Sequence, residues 1–136
     1  MTTSPVLREH TAAVVAALVA AGLSAEAGRK PADLPTGGRY VVVWPGPSDF
    51  DGPVADPSAD VAWGFQLTGV GTSVEQAEWV ADDAQTAVLP AGAVAVPNRA
   101  ISGLRATHRE PARRDDDVSP PAWYVAQTYQ AFSSPA

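Results

Sequence analysis

Asp60-Val61-Ala62-Trp63-Gly64-Phe65-Gln66-Leu67-Thr68-Gly69-Val70, followed at once by Gly71-Thr72-Ser73-Val74-Glu75, decides how the chain is read. In the first part Val61, Trp63, Phe65 and Leu67 alternate with Ala62, Gly64, Gln66 and Thr68, the period-two pattern of a strand with one buried side. The second part has the form of a capping box. Thr72 caps the start of a helix and Glu75 reaches back to the Thr72 amide. Ala77, Val80, Ala81, Ala84 and Val88 then recur at the helical period, and Pro90 closes the run. A strand passing straight into an amphipathic helix predicts an α/β unit, with Gly69 and Gly71 in the turn between them.

Upstream, Ser4-Pro5 reads as a helix start, since Ser caps and Pro at the first helical position forfeits no hydrogen bond. Leu7, Thr11, Val14, Leu18 and Ala21 share one face, and Gly22 ends the helix. The second half of this helix is apolar nearly all round, so more than one stripe is covered, by the core or by another subunit. Residues 24–38 read as a loop. Tyr40-Val41-Val42-Val43-Trp44 is a strand stopped by Pro45 and Pro47, and residues 45–59 form a loop with Pro45, Pro47, Pro53 and Pro57. Two further strands are expected at about 99–108 and 122–132, the second rich in aromatics (Trp123, Tyr124, Tyr129, Phe132). Between them the polar segment 109–121 is expected to be a mobile loop, and Ser133 to Ala136 a frayed tail. The predicted order is α-β-β-α-β-β: an α/β (α+β) fold of about four mostly antiparallel strands with two helices, in one domain spanning 1–136.

At 136 residues and 46% apolar composition the chain holds one ordinary core, built from many Ala and Val with four Trp, three Tyr and three Phe for bulk. There is no Cys, which removes disulfides, thiolate metal sites and a Cys nucleophile. A net charge of −6 argues against duplex DNA binding by phosphate neutralisation and against docking on an anionic membrane. The apolar run Ala12 to Leu23 is short for a membrane span and has no strongly basic leader before it, so the reading is of a leaderless protein made in the cytoplasm.

The chemistry of a site is sparse. His10 and His108 have no Cys, no nucleophile elbow and no paired base, and read as surface or capping residues. Asp49, Asp51, Asp56 and Asp60 share a loop, but without the spacing or closing Glu of an EF-hand they read as turn caps. Gly69-Val70-Gly71-Thr72 sits where a phosphate cradle would, yet lacks the third Gly and the Lys. No catalytic, metal or cofactor residue is assigned. Asp115-Asp116-Asp117 suits a basic partner, or is a solvated loop balanced by Arg113 and Arg114. Trp79 lies roughly opposite the Ala77/Ala81/Ala84 face at about 100° per residue, beside Glu75, Asp82 and Thr86. A Trp there either anchors another chain or folds over the sheet edge or under the 45–59 loop. Trp79, Glu75, Asp82, Asp115, Asp116 and Asp117 are therefore the candidate interface residues.

Taken in order, several segments resemble the tail-terminator proteins of long-tailed bacteriophages, in particular those of actinobacterial phages and prophages. These are Leu7-Arg8-Glu9-His10, Tyr40-Val41-Val42-Val43-Trp44-Pro45, Asp51-Gly52-Pro53 through Asp56-Pro57, and Phe65-Gln66-Leu67-Thr68-Gly69-Val70-Gly71-Thr72 with Glu75-Gln76-Ala77-Glu78-Trp79-Val80-Ala81-Asp82. Arg114-Asp115-Asp116-Asp117 and Pro120-Pro121 follow late in the chain. The resemblance covers most of the chain and implies a small α/β subunit, neither enzyme nor cofactor-dependent. Such a subunit forms a homohexameric ring on the head-proximal end of the tail tube. Its partners are itself, the tail tube protein and the head-closure or connector protein. DNA passes through the lumen without specific binding, and the place of the protein is the virion neck, after assembly in the host cytoplasm. Another neck component (head-closure or adaptor) is the nearest alternative. A cytoplasmic small-ligand module using the Asp-rich loop and a small Asp/metal hydrolase are alternatives of other classes.

Overall fold

The computed structural model describes residues 6–32, 37–56, 59–118 and 121–136. Helices α1 (Leu7–Ala20) and α2 (Val74–Val88) lie on one face of a seven-stranded mixed sheet. Its strands are β1 (Ala25–Ala27), β2 (Tyr40–Pro45), β3 (Asp49–Phe50), β4 (Val61–Gly71), β5 (Arg99–Arg109), β6 (Arg113–Asp115) and β7 (Ala122–Pro135). The lateral order is β1-β2-β4-β7-β5; β1 runs parallel to β2 and the other pairings are antiparallel. This corrects the expected arrangement of about four strands in the order α-β-β-α-β-β. The extra strands, β1, β3 and β6, are two or three residues long and lie in the segments 24–38, 45–59 and 109–121 that read as loops. Strands so short carry no pattern of their own and exist because a neighbouring ladder binds them.

Those short strands follow a rule. β2 pairs with β4 from Tyr40↔Val70 to Pro45↔Phe65, and β3 resumes the same track at Asp49↔Ala62. β5 and β6 likewise share a track along β7, linked by the Glu110 N–H donating to the Ala126 carbonyl at 2.9 Å. Pro45 and Pro47 sit at the first break and Pro111 at the second, positions where a residue with no N–H cannot extend a ladder. The seven strands thus occupy five tracks. β7 also runs to Pro135 with Ser133 buried, so the tail expected to fray is strand.

The core lies between the helices and one sheet face. Trp63, Phe65 and Leu67 of β4, Val41 and Val43 of β2, and Tyr129 and Ala131 of β7 meet α1 and α2 there. The Phe65 and Tyr129 rings stack at 5.0 Å between centroids, with Trp63 against Phe65 at 4.9 Å. α2 buries the expected Ala77, Val80, Ala81, Ala84 and Val88. Its cap is shifted by one residue: Ser73 Oγ accepts from Gln76 N–H at 3.2 Å, and Gln76 Oε1 accepts from Thr72 N–H at 3.0 Å. Ser73-x-x-Gln76 fits the capping pattern as well as Thr72-x-x-Glu75, and in the structure Ser73 is the cap, with the Gln76 side chain reaching one residue further back, to Thr72. α1 buries His10, Ala13, Val14, Ala17 and Leu18, whereas Thr11 is half-buried and Ala21 exposed. The buried stripe is rotated from the expected one because adjacent stripes of this helix are equally apolar. Its N-cap is Val6; the Ser4-Pro5 start, Pro35, Pro57 and Pro120 lie outside the described residues.

Gly69 and Gly71 are not turn residues but contact points inside β4. A Cβ on Gly69 would stand 2.9 Å from the Ala81 backbone nitrogen, and one on Gly71 2.7 Å from Gln76 Cβ. α2 can lie this close to β4 because both side chains are missing. Gly69→Ala should therefore push α2 off the sheet and destabilise the protein by roughly 1–3 kcal/mol, as other overpacked cores do. Urea melts of wild type and variant measure this, and an unchanged midpoint would show that α2 does not need the close approach.

Candidate functional site

Among the described residues, two surfaces and two polar networks, one of them buried, gather most of the polar and aromatic groups. The first surface is on the helix layer. Trp79 is 53% exposed on α2, and the Arg39 guanidinium lies over its ring at 4.7 Å. Beside it Val19 and Leu23, from the end of α1 and just beyond, help to line an open hollow of about 590 Å³ with Asp83 on its rim. Trp79 thus stands about half in solvent, against a cation that lies just before β2. Glu75 is exposed near the start of the same helix. Asp82 is exposed too, but its carboxylate is engaged within the chain, 2.8 Å from Arg109 of β5.

The second surface is the face of the sheet that neither helix covers. Tyr40, Val42 and Trp44 of β2, Gln66, Thr68 and Val70 of β4, and Tyr124 of β7 form a hollow of about 460 Å³. A second hollow of about 360 Å³ continues past Trp44 and Gln66 to Gly64, Thr128 and Gln130. Trp44 is 41% exposed and Phe132, on the same face of β7, 54%. Asp115 lines the first hollow, opposite Arg29 and Lys30. The Asp115-Asp116-Asp117 run folds on itself: Asp115 Oδ1 accepts the Asp117 N–H at 3.0 Å, and Asp116 pairs with Arg114 at 2.7 Å. The structure therefore separates the six candidate residues. Trp79, Glu75 and Asp82 belong to the helix layer, and Asp115 to the opposite face. Sequence reasoning missed Arg39, Tyr40, Trp44 and Phe132. The signal was present for three of them, since the even-numbered residues of β2 and Phe132 of β7 fall by alternation on the side of the sheet away from the helices.

His10 corrects the expectation of a surface or capping imidazole: it is fully buried, with Trp63 edge-on to its ring at 5.0 Å. Its Nδ1 is 2.9 Å from the Val6 carbonyl, which can only accept, so Nδ1 holds the proton. Nε2 then accepts from the Ser133 hydroxyl at 2.8 Å, and Ser133 Oγ accepts from Arg99 Nε at 2.9 Å. Arg99 also donates to the Ala59 carbonyl at 2.6 Å. Ser133 is as buried as His10, so this hydroxyl–imidazole pair has no access to a substrate and serves to tie α1, β5, β7 and the chain before β4 together. The second network joins α2 to the sheet. Arg109 donates to Gln127, whose amide donates to Gln85 at 2.7 Å and to the Tyr129 hydroxyl at 3.0 Å. Burial raises the Tyr129 phenol well above its ordinary value. Among the described residues no group of three or more His, Cys, Asp or Glu could hold a metal, and no helix is long and apolar enough to cross a membrane.

Compared with protein-family models and with curated proteins, the chain matches none.

Burial, and then the Arg99 charge, hold His10 below its ordinary value of 6.5, against the opposing pull of the Val6 carbonyl and Glu9. A lowered folded-state value means that the neutral imidazole is the stabilised form. Its contribution is complete above the unfolded value and is lost as pH falls from about 6.5 through the folded value. Stability of the wild type should drop over that interval by more than that of His10→Gln, which has no imidazole to protonate. Urea melts from about pH 8 to about pH 5 test this, and parallel curves for the two proteins would remove His10 as the cause.

Proposed function

We propose that the chain is a structural subunit that works by binding other protein chains. The particular subunit we infer is the tail terminator of a long-tailed bacteriophage: a hexameric ring that caps the head-proximal end of the tail tube, ends tube polymerisation and joins the head connector. In this reading the protein catalyses no reaction, needs no cofactor, lets DNA pass without binding it specifically, and resides in the virion neck. The family assignment comes from the resemblance in the quoted segments. The observation that carries the protein-binding reading is the set of large aromatics left in water among the described residues, Trp79, Trp44, Phe132 and Phe50. Exposed aromatic area of this kind marks surfaces that another chain covers. An acidic chain of net charge −6 also suits a lumen that must not retain DNA.

Trp79→Ala separates docking from folding. In the isolated subunit the truncation gives up the stacking on Arg39, worth about 0.5–1 kcal/mol at an exposed site, and the packing of the covered half of the ring. If another chain covers Trp79, the loss at each contact is on the order of 2 kcal/mol or more. The variant should melt close to wild type and fail to cap tails, as read by tail-length distributions in electron micrographs. Normal tail lengths from a stably folded variant would remove Trp79 from the interface. Labelled subunits found along the whole tail shaft, not at one end, would sink the terminator reading.

A further inference from the structure

The uncovered sheet face has a shape and a charge pattern that match an element of this same chain. The two hollows join across Trp44 and Gln66 into one trough parallel to the strands, running along β4 from Gln66 to Val70 and closed over Gly64 by the Pro47 carbonyl. That floor is about 13 Å long at the usual rise per strand residue. β2 and the β5–β6 track bound it, three strand spacings apart or about 14 Å, and an α-helix is about 10–12 Å across. Strand addition is not the use of this sheet. One edge strand, β1, has three residues, and the other, β5, is broken by two register shifts and by Gly103 at φ 65°.

The outward face of α1 is the complementary surface. Opposite the buried stripe, Ala12, Ala16, Val19 and Ala20 are exposed and Val15 half-buried, with no charge after Glu9. From Arg8 to Ala20 this face is about 18 Å long, so its first two to three turns cover the trough floor. Its only charges are Arg8 and Glu9, about 100° apart on the first turn. At one end of the trough Lys30 lies on the β2 side and Asp115 on the β6 side. Among the described residues none of these four has an ion-pair partner within the chain. A connection such as β4–α2–β5, between parallel strands of one sheet, is right-handed as a rule. With that hand, a helix whose N-terminus lies at the Tyr40–Asp115 end turns Glu9 toward Lys30 and Arg8 toward Asp115. The reverse orientation leaves all four charges unmatched.

We propose that the trough receives α1 of a second copy of this chain, N-terminus at the Asp115 end, in a head-to-tail contact. This deepens the ring reading by naming the surfaces that join its subunits. Such a contact leaves one free trough and one free α1 at the ends of every open oligomer, so it propagates until it closes. One helix in one trough falls below the roughly 1,200 Å² of a stable pair, so free subunits associate weakly and closure gives each subunit two contacts.

The absence of Cys makes the test clean. Ala16→Cys places a thiol on the outward face of α1 and Thr68→Cys one on the trough floor. Mixed under oxidation at high concentration, the two single variants should form a disulfide dimer at least tenfold faster than either alone, and the double variant should form a ladder of multimers. Adding Arg8→Glu to the Ala16→Cys variant should slow the mixed reaction severalfold, and adding Asp115→Lys to its Thr68→Cys partner should restore it. Cross-linking that is no faster in the mixture, or indifferent to these charge changes, overturns the contact. If multimers of native mass form while the mixed pair stays reduced, the ring reading stands and this interface is wrong. If the mixture cross-links as expected but the protein is found along the tail shaft, the contact stands and the terminator reading falls.

Discussion

Eleven residues of β4 stand opposite eleven of β7, from Val61 against Ser133 to Gly71 against Trp123. Everything else is hung on that ladder. Because side chains alternate, one set of residues on these two strands (Trp63, Phe65, Leu67, Tyr129, Ala131) forms the floor of the core. The other set (Gln66, Thr68, Tyr124, Thr128) forms the open face. A slip of one residue would exchange the two. The register is pinned chemically as well as by hydrophobicity. Ser133 must reach His10, Gln127 must reach Gln85, and Gly69 must lie under Ala81.

The outer tracks are built to stop. Each is two strands with prolines at the break, and the breaks let the chain leave the plane of the sheet. The Pro45-Gly46-Pro47 segment leans over β4 so closely that a Cβ on Gly64 would stand 2.7 Å from the Pro47 carbonyl oxygen. The same overhang closes one end of the trough. Short edges, bulges and Arg105 on β5 discourage further pairing in the plane. The sheet thus offers little regular edge for strand addition and is open on one face.

Two polar networks hold opposite ends of the helix layer without leaving a buried side-chain donor or acceptor unpartnered among the described residues. Each uses an Arg from the β5 track: Arg99 at the His10 end and Arg109 at the Gln127 end. Both place a cation where it satisfies several acceptors in fixed geometry, the role for which a guanidinium fork is suited. The exposed aromatics lie elsewhere, at Trp79 on the helix layer and at Trp44 on the open sheet face.

What the sequence determined by itself was the set of long elements. Period-two alternation in 61–70 and the 3.6 period after Thr72 are local, and β4 and α2 follow them; the apolar face of α2 was legible residue by residue. The short strands β1, β3 and β6 were not, because two or three residues become a strand only when a neighbouring ladder offers hydrogen bonds. Nor was the buried stripe of α1, where several faces are apolar and only the position of the sheet chooses among them. His10 shows the same limit from the other side: a lone imidazole is ordinary at the surface until tertiary structure brings Ser133, 123 residues away, within 2.8 Å. The candidate interface residues were named from composition and helical angle, which locate a side chain on an element. Whether Asp115 faces Lys30 across a trough or Trp79 meets Arg39 depends on how elements are laid side by side. That arrangement belongs to the packing of the whole chain.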